Sequence, residues 1–150
     1  DAHHIAQPEP EGRGVILAMN RALADADLST NDIFHVNAHA TSTPAGDVAE
    51  AKAIRKVLGS EADHAPVTAV KGVAGHLLGG AGSLAALASI LAIKNRIVPP
   101  VGNLVNLADG VDVDVVMSKP RELPSGDIAA LSNSFGFGGH DIVLAFRNHS

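Results

Sequence analysis

The 150-residue chain contains no cysteine, so it forms no disulfide and has no thiolate to act as nucleophile or metal ligand. It is also poor in positive charge, because 11 lysines and arginines are outnumbered by 16 aspartates and glutamates, giving a net charge of −5 with neutral histidines. Proteins that bind nucleic acid usually carry a basic surface, so this balance argues against a nucleic-acid partner. Any chemistry must come from histidine, lysine, hydroxyl groups and backbone amides.

The chain also lacks an initiator methionine, a signal-peptide pattern, internal repeats and low-complexity linkers. Its first residues, DAHHI, are typical of the middle of a folded protein, and we expect the sequence to be a piece of a longer one. Residues 1–150 have the length of one domain, which we predict to be a single structural unit. Without a targeting signal, the expected location is the cytoplasm.

One long uncharged run, residues 77–93, is the candidate for a membrane-spanning segment. It has the minimum length for a span and is interrupted by glycines and serines, so we predict no stable membrane insertion. A helix buried between protein layers is the better interpretation. Because small and apolar residues occupy every face of this helix, we expect it to be packed on all sides.

The rest of the sequence alternates amphipathic helices with short apolar strands. The predicted helices cover about 14–27, 46–58 and 78–93, and the predicted strands cover 33–38, 67–70, 128–132 and 141–146, with an extended run at 111–117. This alternation implies crossover connections, and therefore an α/β fold whose mostly parallel, mixed sheet has helices on both faces. The glycine-rich turn 136–139 makes the last two strands a C-terminal β-hairpin.

Three segments place reactive residues where an apolar stretch ends. They are 37–47 (NAHATSTPAGD), 71–76 (KGVAGH) and 133–140 (NSFGFGGH). Ligands of open α/β sheets bind at the carboxyl ends of the strands, so we predict that these segments form one site. Two neutral imidazoles, His39 and His76, would bind a carbonyl or carboxylate oxygen without adding charge, and the dipole of the helix that follows His76 favours its neutral form.

The remaining candidates each allow more than one interpretation. Lys71 is either a surface lysine or a buried cation that sets the charge of the site. The hydroxyls of Thr41 and Thr43 either end the strand or bind an amide-bearing substrate. The turn around Phe137 offers backbone N–H groups for an oxyanion and a ring that can gate a pocket. The glycines match neither a phosphate-binding loop nor a dinucleotide fingerprint, and the six other histidines lack metal-site spacing, so we predict no metal.

With these three motifs in this order and spacing, the chain resembles the β-ketoacyl-acyl-carrier-protein synthases, and its match to the type II bacterial elongation enzymes is close. The resemblance covers the whole chain but only the C-terminal half of such an enzyme, and it implies half of a thiolase-like fold. In that family a cysteine of the N-terminal half carries the acyl chain, and a malonyl group on the carrier protein is decarboxylated and attacks it. The isolated chain is therefore predicted to be inactive.

The resemblance also implies roles for individual residues. His39 and His76 bind the malonyl thioester and promote decarboxylation, Lys71 tunes their electrostatics, and the Phe137 N–H contributes to the oxyanion hole while its ring guards the acyl pocket. Thr41 and Thr43 are implied to bind the pantetheine arm. The other implied substrate-binding residues are Phe135, Gly136 and Gly138. No cofactor is expected, because the substrates are carried on the phosphopantetheine of acyl carrier protein. That protein is the implied partner, and the full-length enzyme is expected to be a homodimer.

Three positions depart from the family pattern. Ala40 stands where glycine is usual and Asp141 where asparagine is common, while Ala85 replaces a glutamate that pairs with the lysine in many members. Glu50 is a candidate substitute for that partner of Lys71.

Two alternatives are also compatible with the sequence. A degradative thiolase shares the fold but needs a second cysteine, where this chain has His140 after a glycine, and this favours decarboxylative condensation. A non-catalytic half is the other alternative, either resembling a chain-length factor or serving as a carrier-protein docking module. The intact histidine pair argues against that second interpretation.

Overall fold

A computed structural model describes residues 3–5 and 7–148. Helices and strands follow in chain order as α1 (Arg13–Asp25), β1 (Ile33–Asn37), α2 (Pro44–Leu58), β2 (Val67–Thr68), α3 (Lys71–Ala74), α4 (Ala81–Asn95), β3 (Ile97–Val98), β4 (Arg121–Glu122), β5 (Ala129–Gly136) and β6 (His140–Arg147). Short 3-10 turns lie at Thr30–Asp32, Gly59–Asp63 and Leu78–Gly80.

The main sheet has the strand order β2-β1-β5-β6. Strand β1 runs parallel to both neighbours, with Asn37 in register with Thr68 on β2 and with Ser132 on β5. Strand β6 runs antiparallel to β5 and closes the hairpin. The predicted mixed, mostly parallel sheet with a C-terminal hairpin is therefore confirmed. The extended run expected at 111–117 lies outside the sheet strands and forms an isolated parallel bridge from Val115 to Val67.

Helices cover both faces of this sheet, as predicted. On one face, Met19 of α1 and Ile54 of α2 are buried in a core cluster with Leu131 of β5. The next strand residue, Ala130, belongs to a second cluster with Ile93 of α4, because successive strand side chains point to opposite faces. The carboxyl ends of strands β1 and β2 are thereby fixed between two layers of helices.

The prediction that α4 is packed on all sides is wrong within this chain. Its small side chains face the sheet, as the burial of Ala85 and Ser89 shows, whereas Leu87, Ile90 and Leu91 are 42–52% exposed. The reason is that alanine and serine let the helix approach the strands closely, which turns the leucines outward. Covering of this face by another chain or segment stays a prediction.

The same region contains one stretch, among the described residues, that is long and apolar enough to cross a membrane. It covers Leu78–Asn95, and 28% of it is buried within the protein. The absence of stable membrane insertion stays a prediction.

His35, a residue of strand β1, is fully buried. Its Nδ1 donates to the carbonyl oxygen of Pro66 over 2.9 Å, and Nε2 has no hydrogen-bond partner in the described part of the chain. Burial lowers the pKa of His35 to about 4, which the Pro66 contact only partly offsets. The ring is therefore neutral in the folded protein at neutral pH.

This histidine makes the free energy of unfolding depend on pH. The folded pKa is below the ordinary 6.5, so the unfolded chain binds the proton more readily, and stability falls as pH drops from about 6.5 toward 4. Over the whole interval the free energy of unfolding falls by about 3 kcal/mol. Urea unfolding of the parent and of His35→Gln at several pH values between 7.5 and 4 should show a smaller decline in the variant. His64→Gln, which changes an exposed histidine, is the control, and equal declines in parent and His35→Gln would contradict the assignment.

Candidate active site

Four of the predicted site residues come together at the carboxyl ends of the parallel strands. His39 follows β1, Lys71 starts the helix after β2, and Phe135 lies near the end of β5. The rings of His39 and His76 have centroids 5.8 Å apart at an interplanar angle of 85°, and the Phe135 ring lies 5.3 Å from that of His39. The predicted convergence of the three segments is thus present in the structure.

The hydrogen bonds of His39 determine which of its nitrogens carries the proton. Nδ1 accepts the backbone N–H of Phe135 at 3.3 Å, and Lys71 Nζ lies 3.4 Å from the same nitrogen. A nitrogen that accepts a hydrogen bond has no proton, so the neutral ring carries its proton on Nε2. Burial, reinforced by the charge of Lys71 and by His76, lowers the pKa of His39 to about 4. His39 is therefore a neutral donor through Nε2.

In His76, as in His39, Nδ1 accepts a backbone N–H group, but from a different residue. Its Nδ1 accepts the backbone N–H of Leu78 at 3.1 Å, which leaves Nε2 as the protonated nitrogen of the neutral ring. Leu78 has a positive φ of 52° and begins the 3-10 turn that separates His76 from α4. The orientation of the ring is thus set by this turn, and the side chain is exposed on the open side of the site.

Lys71 lies within the site beside His39, and its role in setting the charge of the site stays a prediction. Its side chain is half-buried, and Nζ donates to the carbonyl oxygen of His39 as well as lying beside that ring. Burial lowers the pKa of Lys71, while the carboxylates of Glu50 and Asp47 act in the opposite direction. A cation in this position disfavours protonation of His39 and fixes its backbone.

Glu50 is the site residue whose role the sequence did not reveal. It lies on the buried face of α2, and its two carboxylate oxygens accept the backbone N–H groups of His39 and Ala40, each at 2.8 Å. Asn133 Nδ2 donates to the same carboxylate over 2.9 Å. Burial raises the pKa of Glu50 against the lowering effect of these hydrogen bonds. The carboxylate thus joins α2, the His39 loop and β5, and influences Lys71 only through longer-range attraction.

The carboxylate missing at position 85 is not replaced from α4. Ala85 is 1% exposed, and its carbonyl oxygen accepts Asn37 Nδ2 at 3.2 Å and Ser89 Oγ at 2.8 Å. The carboxylates that act on Lys71, those of Glu50 and Asp47, both come from α2.

Ala40, at the position where the family usually has glycine, is strained. Its φ is +30°, a conformation that is unfavourable for a residue with a Cβ atom. The strain persists because the Ala40 N–H is held by Glu50.

Ala40→Gly should therefore stabilise the protein. Removal of the Cβ relieves roughly 1–2 kcal/mol, and the greater freedom of glycine in the unfolded chain offsets part of this, leaving a gain of about 0.5–1 kcal/mol. The urea midpoint should rise accordingly. Ala86→Gly within α4 is the matched control and should lose about 1 kcal/mol. A loss at position 40 equal to that of the control would show that Ala40 is unstrained.

The two threonines form a hydroxyl pair on the His39 loop. Thr41 Oγ1 and Thr43 Oγ1 are 3.2 Å apart, and Thr43 precedes α2 without capping it by its side chain. Binding of a pantetheine arm by these hydroxyls stays a prediction.

The glycine-rich turn places its two phenylalanines differently. Phe135 packs on His39, whereas the Phe137 ring is 76% exposed. Gly138, at a φ of 73°, donates its N–H to the carbonyl oxygen of Ile5 at 3.0 Å. The oxyanion and gating roles of Phe137, and the substrate contacts of Gly136 and Gly138, stay predictions.

The described residues contain no group of three histidine, aspartate or glutamate side chains positioned to hold a metal ion. The predicted absence of a metal stays a prediction.

Comparison with known protein families matches residues 1–105 to the family described as beta-ketoacyl synthase, C-terminal domain. The chain is 46% identical over 149 residues to the 3-oxoacyl-[acyl-carrier-protein] synthase 2 of Synechocystis sp., covering 99% of this chain and 35% of that protein. The enzyme of the same description from Mycobacterium leprae is 45% identical, with coverage of 97% and 34%. The chain thus spans about a third of the length of the curated relatives it matches.

Solved structures give the same result for the fold. A type II PKS acyl-carrier protein in complex with its ketosynthase bound to the hexaketide matches with a TM-score of 0.93 and 29% identity, over 100% of this chain and 36% of that one. A β-ketoacyl synthase from Burkholderia phymatum matches at 0.89 and 34%, with coverage of 100% and 35%. The ishigamide ketosynthase/chain length factor matches at 0.90 and 31%, with coverage of 100% and 36%. The predicted thiolase-like α/β fold is therefore confirmed.

Proposed function

The chain belongs to the family of β-ketoacyl synthase C-terminal domains. We propose that it supplies the malonyl-binding part of a 3-oxoacyl-[acyl-carrier-protein] synthase. The reaction is decarboxylative Claisen condensation of a malonyl thioester with an acyl thioester in fatty-acid elongation. The observation that carries this proposal is the pair of imidazoles, each with Nδ1 occupied by a backbone N–H and Nε2 left to donate.

The two donors explain how decarboxylation is promoted. The thioester oxygen of the malonyl group accepts hydrogen bonds from Nε2 of His39 and of His76. When the bond to the carboxylate breaks, CO₂ leaves and its electron pair forms an enolate, whose negative oxygen these donors stabilise. The enolate carbon then attacks the acyl thioester carbonyl, so a carbon–carbon bond forms and the carbon–sulfur bond breaks with release of the thiolate. No proton needs to leave either imidazole during these steps.

Lys71 contributes through His39. Its cation beside Nδ1 keeps the ring neutral, and its bond to the His39 carbonyl keeps the ring in place. Protonated imidazole would still donate, but it would lose the Phe135 contact that orients it.

The nucleophile must come from outside this chain, which contains no cysteine. We place it in the part of the relatives that the chain does not span, and we expect the isolated chain to form no acyl-enzyme. The exposed leucines of α4 offer an apolar surface for that part. The active full-length protein is proposed to be a cytoplasmic homodimer without a cofactor.

Acyl carrier protein is the proposed partner, since one solved relative was captured with such a protein. Thr41 and Thr43 would bind the amides of its pantetheine arm, and the turn with Gly136, Phe137 and Gly138 would hold the oxyanion and guard the acyl pocket. The intact donor pair favours this catalytic function over a non-catalytic, chain-length-factor-like half.

The proposal is tested by release of labelled CO₂ from carboxyl-labelled malonyl-carrier protein. The full-length protein that contains this chain should release CO₂ and form a 3-oxoacyl product, and the 150-residue chain incubated with labelled acyl-carrier protein should acquire no covalent label. A full-length protein that binds malonyl-carrier protein without releasing CO₂ would support the non-catalytic alternative. A covalent acyl adduct on the isolated chain would overturn the external nucleophile.

A further inference from the structure

The helix that carries Lys71 is too short to hold its own position. Helix α3 is a single turn, whose backbone bonds include Ala74 N–H to Val70 O and Gly75 N–H to Lys71 O. One turn is only marginally stable, and its last carbonyl groups have no partner within the helix. The direction of the Lys71 side chain therefore depends on outside contacts.

Residues 101–103, which we call the clasp, supply such a contact. Asn103 Nδ2 donates to the carbonyl oxygen of Gly72 at 2.7 Å. Behind this bond the two backbones touch, since a Cβ added to Gly72 would lie 2.3 Å from the carbonyl oxygen of Gly102. The residue next to Lys71 is thus held by one hydrogen bond and one backbone contact.

The clasp is itself anchored to the sheet. The Val101 N–H donates to Val116 O at 2.8 Å, and the Val116 N–H donates to Val67 O of β2 at 2.9 Å. Helix α3 is therefore attached to β2 twice, directly through the chain at its start and through the clasp at Gly72. Two attachments to the same strand define an orientation that one attachment leaves free.

We propose that Asn103 is a positioning residue for Lys71, acting through the clasp on helix α3. Asparagine meets both demands of the position, because it tolerates the φ of 60° found there and provides the amide donor. The inference deepens the proposed function, on which its catalytic readout rests: the clasp keeps the lysine cation beside His39 without touching substrate.

Three variants of the full-length enzyme test this inference. Asn103→Gly keeps the backbone conformation and deletes the amide, and Asn103→Asp keeps the shape while replacing the donor by an acceptor. Each should lower kcat for malonyl decarboxylation about fivefold, as expected for one hydrogen bond, with KM unchanged. Gly72→Ala forces the two backbones apart and should lower kcat on the order of 100-fold. Asn95→Asp, which removes a similar side-chain bond to Leu91 O at the far end of α4, should leave kcat unchanged.

A second readout separates positioning from simple stabilisation of the loop. Burial is the main cause of the low pKa of His39 and the charge of Lys71 is the second, so displacement of Lys71 should raise this pKa only in part. NMR titration should show that rise in the clasp variants but not in Asn95→Asp. Parent kcat and an unchanged His39 titration in both Asn103 variants would overturn the inference, whether or not Gly72→Ala folds. Lys71→Ala is measured in parallel. If it loses activity while the clasp variants do not, only the clasp is refuted; if it keeps the parent rate, the proposed role of Lys71 fails and the clasp role fails with it.

Discussion

His39→Ala and His76→Ala in the full-length enzyme should each lower malonyl decarboxylation on the order of 100-fold to 1000-fold. Each substitution removes one oriented donor to the oxygen that becomes negative, and deletion of a single such donor has effects of this size in other enzymes. Acyl loading of the nucleophile should be less affected, because neither ring is the group that carries the acyl chain. The measurement is labelled CO₂ release beside acyl-enzyme formation with the same protein preparation.

Glutamine variants provide the matched comparison for the histidines. The amide nitrogen of glutamine reaches about as far as Nε2, so His39→Gln and His76→Gln should retain more activity than the alanine variants. His64→Ala, on the exposed surface, should keep the parent rate. Decarboxylation at the parent rate in both alanine variants would remove the histidines from the mechanism.

Glu50→Ala should be the most destabilising of the site substitutions. It leaves the N–H groups of His39 and Ala40 and the amide of Asn133 without their buried acceptor. Loss of such a buried charged partner costs about 3–5 kcal/mol, and decarboxylation should fall with it because His39 loses its backbone anchor. Urea unfolding measures the first effect and CO₂ release from the residual folded protein measures the second.

Two controls make the Glu50 result specific. Glu50→Gln keeps one acceptor oxygen but turns an NH₂ group toward a backbone donor, so its loss of stability should be intermediate. Glu122→Ala changes an exposed glutamate on β4 and should be neutral within about 0.5 kcal/mol. If Glu50→Ala were as stable and as active as Glu122→Ala, the carboxylate would have no part in holding His39.

The positions of His39, Lys71 and Phe135 could be predicted because parallel strands end at one edge of a sheet, and the apolar strands β1 and β5 are plain in the sequence. The predicted boundaries of the helices and strands are less accurate. Helix α4 begins at Ala81 instead of about 78, since the chain first makes a 3-10 turn at Leu78–Gly80. The helix α3 was not predicted, because four residues carry no periodic pattern.

The contacts that orient the site residues could not be predicted from patterns. A sequence shows that Glu50 lies in an apolar helix, but not that its carboxylate meets two backbone N–H groups eleven and ten residues earlier. It likewise does not show which face of an all-apolar helix meets the sheet, so the outward leucines of α4 were assigned to the core. Both depend on tertiary packing, where shape decides between residues of similar hydrophobicity.

The central claim is that His39 and His76 are both neutral donors through Nε2, and long-range ¹H–¹⁵N NMR of the imidazole nitrogens tests it most directly. At pH 8 both rings should show a protonated Nε2 and an unprotonated Nδ1, and His39 should keep this state on acidification until the pH approaches about 4. A proton on Nδ1 of either ring at pH 8, or a His39 that charges near pH 6.5, would contradict the account.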